Sequence, residues 1–118
     1  MAQSRAETQR VVFTCNARAQ SVSRGIFIAG SLKALGLWKA NVVPMYDDGT
    51  HGDLNAGDGI WTLEVQLPVG VEIMYKYTNS GNEGQWVPGE EFSSRNRRIV
   101  LKEKSVTSIT IKDIFGKE

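Results

Sequence analysis

Residues able to do chemistry are few in this chain. Its 118 residues include one histidine, His51, and one cysteine, Cys15. Neither has the companions that zinc binding or nucleophilic catalysis needs. No serine sits in a nucleophile-elbow pattern. Carboxylates are better supplied. The stretch from Asp47 to Gly59 is rich in aspartate and glycine and holds Asp47, Asp48, Asp53 and Asp58. Two carboxylates at a set separation would suit glycoside hydrolysis. Here one turn-rich loop carries all four, with no sign of a deep cleft. The chain is not expected to be an enzyme.

The same loop offers the hard oxygen ligands that calcium accepts in irregular geometry. Asp53, Asn55 and Glu64 fall at positions 1, 3 and 12 of an EF-hand template. The template fails between them, because Gly57 stands where Asp or Asn is usual and Asp58 where Gly is needed. The expected structure is a turn whose aspartates accept hydrogen bonds from their own backbone amides. The four aspartates remain secondary metal candidates, and no cofactor is expected.

Three tryptophans carry the remaining chemistry. Trp61 has core parity on its strand and is expected to pack inward. Trp38 and Trp86 lie beside loops, outside clean alternation, flanked by small or polar residues. They could cap the ends of the core, or form flat apolar faces for a ligand. A sugar ring has one apolar face and polar edges, so two exposed indoles with nearby ammonium and amide donors would suit it. Lys76, outward on its strand, and Asn96, after the loop that follows Trp86, are the polar groups expected to join them.

The elements that must position these residues are short strands. Val11, Phe13 and Cys15 share one face of a first strand, with Cys15 expected as a buried small hydrophobe. Gly25–Gly30 is apolar on both faces and reads as a central strand. Ser31–Leu35 suggests a helical turn ended by Gly36. Val42–Tyr46 is a strand with Pro44 at an edge or bulge. Trp61, Leu63, Val65 and Leu67 alternate inward, as do Val71, Ile73, Tyr75 and Tyr77. The Pro68-Val69-Gly70 link between those runs predicts a hairpin. Strands over 97–101 and 106–111 follow, and Arg95-Asn96-Arg97-Arg98 reads as a solvated strand edge. The fold class is all-β: an antiparallel, immunoglobulin-like β-sandwich of seven to eight strands. Residues 1–9 are expected as a flexible lead-in, 10–112 as the domain and 113–118 as a tail.

Composition bounds the partners. Fourteen basic and thirteen acidic residues give a net charge of +1, which argues against nucleic acid or an anionic membrane. No apolar run is long enough to span a membrane. Met1–Arg10 lacks the apolar core of a signal peptide. A single cysteine allows no internal disulfide and leaves the redox compartment open.

The ordered set of local patterns resembles a known family. It runs through Val12-Phe13 with Asn16, Ile26 to Gly30-Ser31, and Leu35-Gly36-Leu37-Trp38. It continues through Val43-Pro44-Met45, Trp61, Leu67-Pro68-Val69-Gly70, Tyr75-Lys76-Tyr77, Trp86 and Asn96-Arg97. Together these resemble carbohydrate-binding module family 20, the starch-binding domain, over about residues 10–112. The glycogen-binding family 48 shares part of the set, but the N-terminal strand and the Leu-Gly-x-Trp spacing favour family 20. The resemblance implies a β-sandwich that binds α-1,4-glucans and is attached to amylolytic or glucan-modifying enzymes. It implies a first site at Trp38, Trp86, Lys76 and Asn96. Val87 stands where the family often has an acid, and the stretch from Trp86 to Asn96 is longer than usual. A second site would use Trp61, with Tyr46 as a substitute tyrosine, since Val22 aligns with the family's first tyrosine. The long aspartate loop would reshape or remove that site.

The expectation is a non-catalytic, monomeric module that binds starch, glycogen or cyclodextrin as part of a larger protein, with no nucleic-acid or membrane partner. The compartment is open, and extracellular if the parent is a secreted amylolytic enzyme. The alternative is a calcium-stabilised structural or protein-interaction sandwich without sugar binding.

Overall fold

A computed structural model describes residues 7–19, 25–50, 53–92, 95–102 and 107–117. Within them are seven strands: β1 (Thr8–Asn16), β2 (Phe27–Gly30), β3 (Val43–Pro44), β4 (Ile60–Pro68), β5 (Glu72–Thr78), β6 (Arg97–Val100) and β7 (Ile109–Ile114). They form two sheets, ordered β4-β1-β7 and β3-β2-β5-β6. This is the expected sandwich, with one parallel pair, β1 with β7, among antiparallel ones. No helix among the described residues is long and apolar enough to cross a membrane.

Alternation decides what fills the core. Val11, Phe13 and Cys15 of β1 are fully buried, with Ile26, Ile28, Leu35, Leu67, Ile73 and Tyr77. Trp61, Leu63 and Val65 pack against them from β4. Burial pushes the Cys15 thiol well above its ordinary range, as expected of an inert core cysteine. β2 is central and β3, with Pro44, is an edge. The domain extends past both expected limits. Gln9 is buried in β1, and at the other end β7 runs to Ile114 and Phe115 is buried.

Two expectations change. β4 and β5 are not a hairpin, since they lie in different sheets. Two-residue hairpin turns need positive φ at their first central residue, which proline cannot supply. Pro68–Gly70 is instead a corner between sheets. Val69 N–H donates to Glu7 O at 2.8 Å, and Gly70 N–H to Leu101 O at 2.8 Å. Arg97, expected on a solvated edge, is mostly buried. Its guanidinium meets both carboxylate oxygens of Glu91 at 2.8 and 2.9 Å and Asp113 at 3.3 Å. Arg98 is the solvated one, 3.6 Å from Glu72. Parity sends Arg97 inward, and burial of a guanidinium requires paired carboxylates.

The sheets meet in a further polar contact at Asp113. Tyr75 and Tyr77 hydroxyls both donate to Asp113 Oδ2 at 2.8 Å. Within the sheet β3-β2-β5-β6, Ser31 extends the pairing of β2 with β5: its N–H donates to Met74 O at 2.9 Å, and its Oγ accepts from Met74 N–H at 3.1 Å. Gly30 permits this approach, because a Cβ there would lie 2.7 Å from Met74 O and 2.8 Å from Leu35 Cδ1.

Gly30→Ala is therefore expected to destabilise the fold by about 1–3 kcal/mol, read from urea unfolding, because the crowding atom is backbone. The tyrosines predict an alkaline limit. Burial first, then the Asp113 charge and hydrogen bond, raise both phenols above their ordinary value of 10.0. The folded state keeps protons that the unfolded state releases, so stability is intact below about pH 10 and falls as pH rises beyond it. Tyr77→Phe should make that fall shallower in denaturation at stepped pH, at a cost of about 1 kcal/mol near neutrality.

Candidate functional site

The two loop tryptophans meet in space. Gly36, at φ 84°, ends the 3-10 turn Lys33–Leu35. Leu37 and Trp38 then take φ values of 47° and 64°. Left-handed backbone is uncommon for such residues and marks a local constraint. Trp38 N–H donates to Gly30 O at 2.7 Å, and Leu37 N–H to Leu32 O at 3.1 Å. The turn thereby raises Trp38 at the end of β2.

Trp86 arrives from the loop after β5, and Asn41 ties that loop to the stretch following Trp38. Asn41 is buried, and its amide donates to Asn82 O at 3.0 Å and to Gln85 O at 2.7 Å. Its own oxygen accepts from Thr78 Oγ1 at 2.6 Å. Beyond Trp86 the chain turns back, and Glu90 N–H donates to Trp86 O at 2.8 Å. Gly89 fits because a Cβ there would lie 2.2 Å from Ser80 O.

The returning segment covers Lys76. Its side chain has the expected outward parity, yet the residue is only 6% exposed. Its ammonium is 3.1 Å from Glu90 Oε2, 2.6 Å from Phe92 O and 5.4 Å from the Trp86 ring centre. These contacts are what a desolvated ammonium needs. The Trp38 and Trp86 rings lie 6.2 Å apart at 49°. With Lys76, Glu90 and Asn96 they line an open recess of about 380 Å³. All four residues expected at the first site are thus brought together. Glu90 and Asn41 were missed. The stretch after Trp86 was read only at Val87, but the turn through Gly89 delivers an acid three residues later. Asn41 carried no sequence signal beyond the tolerance of asparagine for left-handed backbone, its φ being 63°.

The second pair is not brought together. Tyr46 pairs with Thr62 across an antiparallel bridge, so their side chains share a face and Trp61 takes the other. Trp61 sits opposite Cys15 and packs on the core. A larger concavity of about 620 Å³ lies on the outer face of β4-β1-β7, among Thr14, Thr62, Thr110, Leu54 and Ile114. The described residues of its lining include no aromatic ring. Val22 and His51 lie outside the described residues.

The aspartate loop follows the turn expectation. Asp47 accepts from Asp58 and Gly59 amides, Asp53 from Gly49, and Asp58 from Ile60. Asp48 accepts from Thr50 and stands apart. Carboxylate oxygens of Asp47, Asp53 and Asp58 lie within 4.8 Å of one another. That proximity tells on Asp47, whose carboxyl is raised above its ordinary 3.8 by burial and by Asp58 and Asp53. All three also accept from the loop's own amides, the bonding expected of a turn.

Comparison with known proteins accords with this arrangement. The Hypocrea jecorina glucoamylase of glycoside hydrolase family 15 superposes with a TM-score of 0.66 at 25% identity, over 93% of this chain and 17% of its own. Hormoconis resinae glucoamylase gives 0.64 at 19% identity over 92% and 17%, and shows the fold alone. So does the gamma-CGTase of alkalophilic Bacillus clarkii, at 0.65 and 18% over 95% and 16%. The chain therefore spans about a sixth of the length of each solved chain. The profile of the starch binding domain matches residues 8–110, nearly the whole chain, and with it the chain belongs to carbohydrate-binding module family 20.

Proposed function

We propose that this module binds α-1,4-glucans, without catalysis, by stacking glucose rings on Trp38 and Trp86. The observation that carries this is the two tilted indoles, 6.2 Å apart and bordered by Lys76, Glu90 and Asn96 in one recess. A helical glucan presents successive rings at an angle, and two faces inclined at 49° suit a curved chain better than a flat one. The polar border supplies donors and acceptors for hydroxyls at the ring edges. An ammonium has three donors, of which Glu90 and Phe92 take two, and the third is assigned to a sugar hydroxyl. Glu90 then takes the place of the acid that Val87 lacks, as an acceptor for a hydroxyl proton.

The open recess leaves much of the ligand in water, so affinity falls between micromolar and millimolar, about −8 to −4 kcal/mol. The module acts as an attached domain that holds a larger protein on its glucan, in keeping with its length relative to the glucoamylases it superposes on. Starch, glycogen and cyclic glucans all present the required surface.

Trp38→Ala and Trp86→Ala should each weaken binding of β-cyclodextrin or maltoheptaose by about thirtyfold or more, near 2 kcal/mol, with circular dichroism showing an intact fold. Trp61→Phe should leave affinity unchanged. Retained binding in both loop variants would remove the platform from this reading.

A further inference from the structure

Each polar residue of the recess has a chain neighbour in one buried network. Lys76, Glu90 and Asn96 line the recess. The next residues, Tyr77, Glu91 and Arg97, meet one another beneath it. Glu91 and Arg97 side chains are 0% and 9% exposed. Glu91 accepts from Tyr77 N–H at 3.0 Å, and its own N–H donates to Tyr77 O at 3.1 Å. The Arg97 guanidinium lies over the Tyr77 ring at 5.4 Å and the Phe92 ring at 5.2 Å. Phe92 in turn supplies the carbonyl that holds Lys76.

The network also takes in the end of the described chain. Arg97 Nη2 donates to Ile114 O at 2.8 Å and to Lys117 O at 2.7 Å. Gly116 N–H donates to Glu91 Oε1 at 2.9 Å. None of these groups lines the recess.

We propose that the Glu91–Arg97 pair, completed by the turn at 114–117, is a positioning unit for the recess. It holds the segment bearing Trp86 and Glu90 against β5 and β6, and so fixes the spacing between Trp86, Lys76, Glu90 and Asn96. A bidentate fork suits this task because it fixes orientation as well as distance. Arg97→Lys keeps the charge and loses the fork. Glu91→Gln keeps the length and loses the charge. The inference rests on the glucan-binding reading only where it concerns affinity. The placement of Trp86 can be read without ligand.

The test compares Arg97→Lys and Glu91→Gln with wild type and with Ile111→Ala, a packing variant in the other sheet that serves as a stability control. All are studied well below their melting temperatures. Two quantities are measured: the ligand-free exciton couplet between Trp38 and Trp86 in circular dichroism, and the affinity for β-cyclodextrin. The expected result is a weakened couplet and an affinity loss of about tenfold in the pair variants, with both retained in the control. If Arg97→Lys does not fold, Glu91→Gln carries the comparison. A couplet and affinity in the pair variants equal to the control's would overturn the proposal and leave the pair a stabilising contact only. If wild type binds no glucan, the functional reading fails, and the ligand-free couplet still decides the positioning role.

Discussion

The constraint on which most of this structure depends is the burial of one guanidinium between two sheets. Arg97 enters from the edge strand β6, and its inward parity leaves most of its side chain out of water. Desolvation alone would favour the neutral form. The Glu91 hydrogen bonds and charge, with Asp113, outweigh that and hold Arg97 cationic, above its ordinary pKa. Such a pair gives little net stability compared with a well-packed apolar substitute. What it supplies is geometry. Glu91 lies in the connection after Trp86, Asp113 on β7 of the opposite sheet, and Tyr77 on β5. One residue therefore fixes the relation of three segments and both sheets.

This arrangement explains why the recess can be shallow and still defined. Lys76, Glu90 and Asn96 belong to segments whose neighbouring residues are held from beneath, and Trp38 is held by its own turn. Asn41 joins the two tryptophan loops through amide bonds to Asn82 and Gln85. Its left-handed backbone, like that of Leu37 and Trp38, costs energy that the surrounding hydrogen bonds must offset.

Much of this was legible in the sequence, and the failures have physical causes. Strand faces could be read because alternation has a fixed period, and they placed Phe13, Tyr75, Tyr77 and Leu67 inward. The turn at Gly36 was legible from the glycine. Partner choice between strands was not. The run Leu67-Pro68-Val69-Gly70 joins two alternating segments whether or not they pair, and only the proline's fixed φ argued against a hairpin. Lys76 showed the right parity, but its burial depends on a cover supplied by residues 86–92, which no local pattern reveals. Arg97 looked solvated because its acidic partners are six and sixteen residues away, at Glu91 and Asp113. Tyr46 and Trp61 looked like partners because the bridge that sets them on opposite faces is long-range.

If the recess binds glucan as proposed, preorganisation is what connects these observations to binding. An open platform gains little from burying ligand surface, so any ordering of its own side chains on binding would take a large share of a weak affinity. Here both indoles sit on short, internally bonded turns, and the lysine between them and the acid is already desolvated and paired. The ring of Trp86 lies under the Lys76 ammonium at 5.4 Å. The cost of holding these groups has been met in folding, through a strained turn at one tryptophan and a buried ion pair below the other. On the proposed glucan-binding reading, the determinants of affinity then lie partly outside the recess, in residues whose role is visible only in the folded chain.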